Sequence, residues 1–172
     1  DSKYLGPVGY GGTSQGAINA GSYTITPSGY YSDQQGYDIS VANGTLAVNQ
    51  AALTVTANNA AKTYNGLAYS GGNGVGYTGF VNGETATVRG GSLAYGGTSQ
   101  GAINAGSYVI TPSGLTSGNY AFTFGDGTLA VNQAALTVTA NNAVKTYNGL
   151  VYTGGNGVGY TGFVNGETAA VL

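Results

Sequence analysis

Residues 45–60 read TLAVNQAALTVTANNA, and the same sixteen residues return unbroken at positions 128–143. The two copies are 83 positions apart, since 128 minus 45 is 83. Two flanking stretches repeat as well: GGTSQGAINAGSY at 11–23 returns at 96–108, and GGNGVGYTGFVNGETA at 71–86 returns at 154–169. A repeat of this length is typical of a small domain copied in series. The repetition therefore favours a structural or adhesive protein over an enzyme with one active site.

The phase of the repeat predicts three segments along the chain. Residues 1–50 are the back part of a repeat, residues 51–133 form a complete repeat, and residues 134–172 are the front part of a repeat. Neither partial repeat has enough strands to bury a sheet face and satisfy its edges by itself. We therefore hypothesise that segment 1–50 of one copy completes segment 134–172 of another, giving an open filament by strand complementation. In the alternative, both segments belong to a longer array on one polypeptide.

The composition narrows the class of protein. Only 6% of the residues are charged, whereas about 25% is usual in soluble globular proteins. The net charge is -2, and the chain has fifteen tyrosines, which argues against disorder. Its four basic residues are scattered, so no nucleic-acid partner is expected. No apolar run is long enough for a transmembrane segment.

The residue types also argue against catalysis and metal binding. Histidine and cysteine are both absent, so the usual proton shuttle and the thiolate nucleophile cannot occur. A calcium site needs several acids close together, and Asp33 with Asp38 is the only near pair. We therefore expect no enzyme activity, no metal site and no cofactor.

Alternation of apolar and polar residues predicts a mostly β fold. Leu53, Val55 and Ala57 are expected on one face of a strand with Thr54 and Thr56 on the other. Further strands are expected at 75–80, 92–95, 107–111, 120–124 and 128–131. Tyr108 and Tyr120 lie within this alternation and are predicted to be core residues. About seven short strands per repeat favour small β-grasp-like or sandwich-like domains of about 83 residues.

Three dipeptides predict tight turns between strands. They are Asn43-Gly44, Asn65-Gly66 and Asp126-Gly127. Asparagine or aspartate followed by glycine suits a type I′ hairpin turn, because that turn needs positive φ at both central residues. Strand 23–27 and its counterpart 108–112 each end in proline, which predicts that the strand closes there.

The motifs together resemble a known repeat family. ALTVTANNA, KTYNGL, GFVNGET, YVITPSGL, NYAFTF and GTLAVNQ follow one another at this period. In this combination the chain resembles the MBG and YDG type repeats of filamentous-haemagglutinin-like bacterial surface adhesins. The resemblance implies a mostly β, grasp-like module repeated along a stalk that is secreted to the bacterial cell surface or extracellular matrix. It implies copies of the chain or adjacent repeats as partners, and no catalytic residues.

Lys62 and Glu84, which recur as Lys145 and Glu167, are the charged residues that both copies keep. One interpretation is a solvated ion pair, worth about 0 to 1 kcal/mol. The other is an isopeptide bond between lysine and asparagine, promoted by a buried glutamate. An intact mass decides between them, because each isopeptide bond loses ammonia, about 17 Da.

Two further features suggest ligand binding. The stretch 74–79 matches G-x-G-x-x-G, but a dinucleotide site needs a helix after it, and turn signals flank this stretch instead. The tyrosine-rich loops could supply flat, amphipathic platforms for a glycan. A loop-based module that binds carbohydrate or a host protein is therefore the alternative function.

Overall fold

The chain folds mainly into β-strands, as the alternation of residues 53–57 predicts. The computed structural model describes residues 8–29 and 38–172. Its strands are β1 (Gly9–Gly11), β2 (Gly21–Ser28), β3 (Gly44–Val48), β4 (Ala51–Ala57), β5 (Ala60–Thr63), β6 (Val75–Thr78), β7 (Gly90–Gly96), β8 (Gly106–Thr116), β9 (Tyr120–Gly125), β10 (Gly127–Asn132), β11 (Thr137–Ala140) and β12 (Val158–Thr161). The only helices among the described residues are two short 3-10 helices, Ala86–Val88 and Ala169–Val171. The mostly β prediction is confirmed.

The described strands form four sheets. Their strand orders are β1-β2-β3, β5-β10-β8-β7, β6-β4-β9 and β11-β12. Strand β10 pairs antiparallel with β8 and parallel with β5. Two compact units are present: the first groups the described residues of 1–54 with 77–92 and 115–123, and the second groups 55–76, 93–114 and 124–172.

The core of the second unit follows the predicted alternation of β4. Val55 and Ala57 are buried, while Thr56 between them is exposed. Ala57 clusters with the apolar side chains of β8 and β10, namely Ile110, Leu129 and Val131, and with Ala102. Tyr108 packs against this cluster, and in the first unit Tyr120 is buried. Both predictions of core tyrosines are confirmed.

The predicted hairpin turns at Asn43-Gly44 and Asp126-Gly127 are wrong. Gly44 and Gly127 are the first residues of β3 and β10, and neither dipeptide contains a residue with positive φ. The residues just before Gly44, 38–43, contain no strand. Asp126 connects β9 to β10, which lie in different sheets. Gly127 is instead required by close approach, because a Cβ there would lie 2.6 Å from the carbonyl oxygen of Ala57.

Asn65-Gly66 forms a turn, but the turn does not close a hairpin. Gly66 has a φ of 70°, and the Asn65 side-chain oxygen accepts a hydrogen bond from the Leu67 backbone at 3.1 Å. No strand follows this turn before β6. The preceding strand β5 pairs with β10 instead, so a distant part of the repeat supplies its partner.

Proline does not end the strands that contain it. β2 and β8 continue through Pro27 and Pro112. β10 pairs with β8 only as far as Ile110. The missing N–H of Pro112 therefore breaks no hydrogen bond to β10.

Candidate functional site: the Tyr120 seat

Asn119 joins two consecutive repeats inside the first unit. Its backbone oxygen accepts a hydrogen bond from the Ala51 N–H at 2.9 Å. Its side-chain Oδ1 accepts another from the Ala20 N–H at 2.9 Å, and its Nδ2 donates to Oδ1 of Asn19 at 2.9 Å. One asparagine thus binds Ala20, which precedes the first residue of β2, and Ala51, the first residue of β4.

Gln50 holds the residues just before Asn119. Its Nε2 donates to the carbonyl oxygens of Ser117 at 3.3 Å and Gly118 at 3.0 Å. Only Asn49 and Gln50 separate β3 from β4. The short connection between repeats is therefore fixed by hydrogen bonds to residues 117–119.

Tyr120 follows directly and is almost fully buried, with 2% of its surface exposed. Its hydroxyl donates to a carboxylate oxygen of Glu84 and accepts a hydrogen bond from the Val81 N–H at 3.0 Å. Phe80 packs edge-on against its ring, with centroids 5.7 Å apart. We call Ala20, Gln50, Ala51, Phe80, Val81 and Glu84 the Tyr120 seat.

The hydrogen bond to Glu84 is the main cause that raises the pKa of Tyr120. Burial and the carboxylate charge raise this pKa further, while the N–H of Val81 lowers it. The tyrosine therefore stays a neutral donor in the folded protein, as its contact with a carboxylate requires.

A tight turn places Glu84 and Phe80 around the hydroxyl. Asn82 has a φ of 52° and Gly83 a φ of 72°, and the Glu84 N–H donates to the Val81 carbonyl at 3.0 Å. Gly79 lies where a Cβ would approach the Ala52 carbonyl oxygen to 2.5 Å. GFVNGE therefore recurs because this turn needs residues that adopt positive φ at Asn82 and Gly83 and a residue without a side chain at Gly79.

The second unit contains the same residues around an open cavity of about 470 Å³. Nine of its ten lining residues correspond by repeat position to residues of identical type in the first unit. They are Ala105, Gln133, Ala134, Leu136, Gly162, Phe163, Val164, Glu167 and Val171. We call this cavity the open seat.

The open seat has the same local geometry as the Tyr120 seat. The Glu167 N–H donates to the Val164 carbonyl at 3.0 Å, and a Cβ on Gly162 would lie 2.4 Å from the Ala135 carbonyl oxygen. Tyr160 and Phe163 have ring centroids 5.6 Å apart, against 5.5 Å for the corresponding pair in the first unit. The open seat is therefore preformed.

Glu167 has a different tyrosine partner from Glu84. It accepts a hydrogen bond from the hydroxyl of Tyr64, the tenth lining residue. This hydrogen bond raises the pKa of Tyr64, and burial and the carboxylate charge add to the rise. Nearby, Nδ2 of Asn165 donates to the Gly66 carbonyl at 3.3 Å. The turn at Asn165 in the last partial repeat thus contacts the Asn65-Gly66 turn of the complete repeat before it.

The recurring lysines make contacts of another kind. Lys62 donates to the carbonyl oxygen of Leu67 at 2.6 Å, and Lys145 donates to the carbonyl oxygen of Leu150. Each lysine thus stabilises the Asn-Gly turn that follows it, whereas Glu84 and Glu167 bind tyrosines. None of these four contacts joins a lysine to a glutamate.

Other predicted features concern metals, nucleotides and membranes. Within residues 8–29 and 38–172 no group of three or more His, Cys, Asp or Glu could hold a metal ion, and Asp33 lies outside these residues. The stretch 74–79 carries β6 and ends in the turn described above. No helix in the described part of the chain has the length and apolar character needed to span a bilayer.

Sequence reasoning missed Asn119 and the two tyrosines that bind glutamates. The recurrence of GFVNGE is the sequence signal that marks Glu84 as a candidate functional residue. Its partner could not be read from spacing, because the Glu84–Tyr120 pair is separated by 36 positions and the Tyr64–Glu167 pair by 103.

Comparison with known proteins gives one family. No curated protein and no solved structure matches the chain. Residues 53–130, which span most of the complete repeat and include Glu84 and Tyr120, match the family model described as the MBG domain of the YGX type. The MBG-type resemblance of the motifs is thereby confirmed.

Proposed function

We propose that this chain is a structural repeat segment of an extracellular bacterial adhesin or filament. In this proposal its units are tandem, β-grasp-like or sandwich-like domains of about 83 residues, which the mostly β structure supports. The proposal places the chain at the bacterial cell surface or in the extracellular matrix, and assigns it no catalytic activity. Its support is the likeness of the motifs to adhesin repeats and the MBG domain match.

The observation that carries the proposal is the hydrogen-bonded junction at Asn119. A stalk must hold consecutive domains in a fixed orientation, and stacked repeats do so through neighbour contacts. The side chain and backbone of Asn119 bind Asn19, Ala20 and Ala51. Each such bond contributes about 1 kcal/mol, and the two-residue connection leaves the bonded groups close together.

Amide relaxation tests whether this junction is rigid. Asn119→Ala removes both side-chain bonds, so the amides of β2 and β3 should tumble faster than those of residues 115–123 in ¹⁵N relaxation measurements. Asn104→Ala is the matched control, because Asn104 is the repeat counterpart of Asn19 and its exposed side chain lies beside the open seat. If the amides of β2 and β3 tumble at the same rate as those of residues 115–123 in both variants, the proposed junction is wrong.

Peptide binding tests whether the open seat receives the back part of a repeat. A labelled peptide with the sequence of residues 115–133 should bind the whole chain in a fluorescence anisotropy titration. Replacing the tyrosine at position 120 of the peptide by alanine should lower the affinity more than tenfold, because the ring contact and the carboxylate hydrogen bond are both lost. Equal affinities for the two peptides would refute this use of the seat.

The alternative function is a loop-based module that binds carbohydrate or a host protein. The exposed, tyrosine-bearing loop around Tyr147 and Tyr152 favours it, since these side chains are 93% and 53% exposed. Retention of the chain on a glycan array would support this alternative. Labelling of intact source cells with an antibody to the chain tests the surface location that both functions require.

A further inference from the structure

The complete repeat begins and ends with two-strand segments that neighbour each other. Its first segment, 51–63, contains β4 and β5, and its last segment, 120–132, contains β9 and β10. β4 neighbours β9 in one sheet, and β5 neighbours β10 in another. β5 and β10 pair in parallel, with Ala60 opposite Leu129. Paired residues therefore differ by 69 positions, since 129 minus 60 is 69.

Contacts between β4 and β9 follow the same register. At the start of β4, the Ala51 N–H donates to the carbonyl oxygen of Asn119, just before β9, at 2.9 Å. Farther along, a Cβ on Gly125 would lie 3.1 Å from Oγ1 of Thr56, and 125 minus 56 is again 69. Because both numbers rise together from one contact to the next, β4 and β9 also run in parallel.

The residues between and beyond these strands are held in register as well. Asn59 lies between β4 and β5, and its side-chain Oδ1 accepts a hydrogen bond from the Thr128 N–H at 2.8 Å. After β5, the Tyr64 N–H donates to the carbonyl oxygen of Asn132 at 2.7 Å. Hydrogen bonds therefore join the two segments near their beginnings, in their middles and at their ends.

Tension along a repeat array acts on opposite ends of these two segments. The preceding repeat is attached at Ala51, where the first segment begins, and the following repeat is attached after Asn132, where the last segment ends. Because the segments are parallel, tension pulls them past each other along their length. The bonds of a parallel pair are evenly spaced, so they share this load. Bonds pulled from one end of a pair would instead break one after another.

We propose that the pairing of segment 51–63 with segment 120–132 is a mechanical clamp that resists tension along the array. The direction of the load rests on the proposed stalk function, and the inference adds which strands of the domain bear that load. Forced unfolding is governed by the rate of unfolding. The clamp therefore acts by raising the force at which the repeat opens.

Optical-tweezer measurements in two pulling directions test the clamp on the same fold. The chain contains no cysteine, so cysteines introduced at exposed positions attach the handles. Asn49→Cys with Ala135→Cys loads opposite ends of the clamp, whereas Thr63→Cys with Ala135→Cys loads the same end of both segments. The first direction should need about twice the unfolding force of the second, because evenly spaced bonds then share the load. Equal forces in the two directions would overturn the proposal.

Proline at neighbouring positions of β5 tests whether its bonds to β10 carry the load. The Tyr64 N–H points at β10, and successive residues of a strand alternate in direction, so the Lys62 N–H points at β10 and the Ala61 N–H points away. β5 is an edge strand, so proline at position 61 removes no bond between strands. In the first pulling direction, Lys62→Pro should lower the unfolding force by about half.

Two controls accompany the proline variant. Ala61→Pro should leave the unfolding force unchanged, and so should Lys62→Ala, which removes only the side-chain hydrogen bond to Leu67. An equal loss for Ala61→Pro and Lys62→Pro would overturn the proposal. If the force is the same in both pulling directions while the antibody labels intact cells, the proposed function stands and the clamp is wrong. If the force depends on direction and the cells are not labelled, the clamp stands and the surface location is wrong.

Discussion

Truncating the same valine in two copies of the same sequence should have very different effects. Val55 is 0% exposed and Val138 is 54% exposed. Val55→Ala removes two buried carbon groups, at about 0.8 kcal/mol each, and leaves a cavity that adds to the loss. We expect a total near 2 kcal/mol. Val138→Ala should cost less than about 0.5 kcal/mol, as exposed substitutions usually do.

Thermal unfolding followed by circular dichroism measures this difference. For a domain of 60–100 residues, a loss of about 2 kcal/mol lowers the Tm by roughly 8 to 16 °C. Dilute protein keeps copies apart, so the Tm of Val138→Ala should stay within about 3 °C of the parent chain. Equal losses for Val55→Ala and Val138→Ala in dilute solution would refute the argument that the back part of a repeat buries this face.

The remaining predictions concern a glycine and a tyrosine. Gly127→Ala should lower the free energy of unfolding by about 1 to 3 kcal/mol, because its Cβ would lie 2.6 Å from a carbonyl oxygen and forced overpacking costs this much. Gly44→Ala is the control and should be tolerated, since the nearest atom to its Cβ lies at 3.8 Å. Similar urea unfolding midpoints for the two variants would contradict this prediction. Since the folded pKa of Tyr120 is raised above 10.0, the stability that this group contributes is complete below pH 10 and is lost as the pH rises through the folded pKa. Tyr120→Phe should therefore flatten the alkaline loss of stability in urea unfolding measured from about pH 9 to 11, and an unchanged loss would contradict this.

Local patterns were sufficient to predict most of the strands. Alternation at Leu53, Val55 and Ala57 gave the buried face of β4, because side chains on a strand point to opposite faces in turn. The strands predicted at 75–80, 92–95, 107–111, 120–124 and 128–131 each contain part of an observed one. The extended runs expected just before Asn43-Gly44 and just after Asn65-Gly66 are wrong, because residues 38–42 and 67–69 form no strand. These features depend on neighbours within a few residues, which a sequence displays directly.

Strand pairing could not be predicted from the same patterns. Asp126-Gly127 has the composition of a hairpin turn, yet β9 and β10 pair with different neighbours. The parallel pairing of β5 with β10 and the Glu84–Tyr120 contact join residues far apart in the chain. Such contacts depend on how the whole repeat packs, and turn chemistry alone does not specify it.

Among the described strands, β3 is an edge strand that carries little protection. Proteins commonly guard exposed strand edges with charged side chains, lysine above all. β3 has no charged residue, and the one lysine in residues 143–146, Lys145, donates to the carbonyl of Leu150. Residues 60–63 form a strand beside β10, whereas the nearly identical 143–146 form none. Pairing with β10, rather than local propensity, therefore creates the strand at residues 60–63.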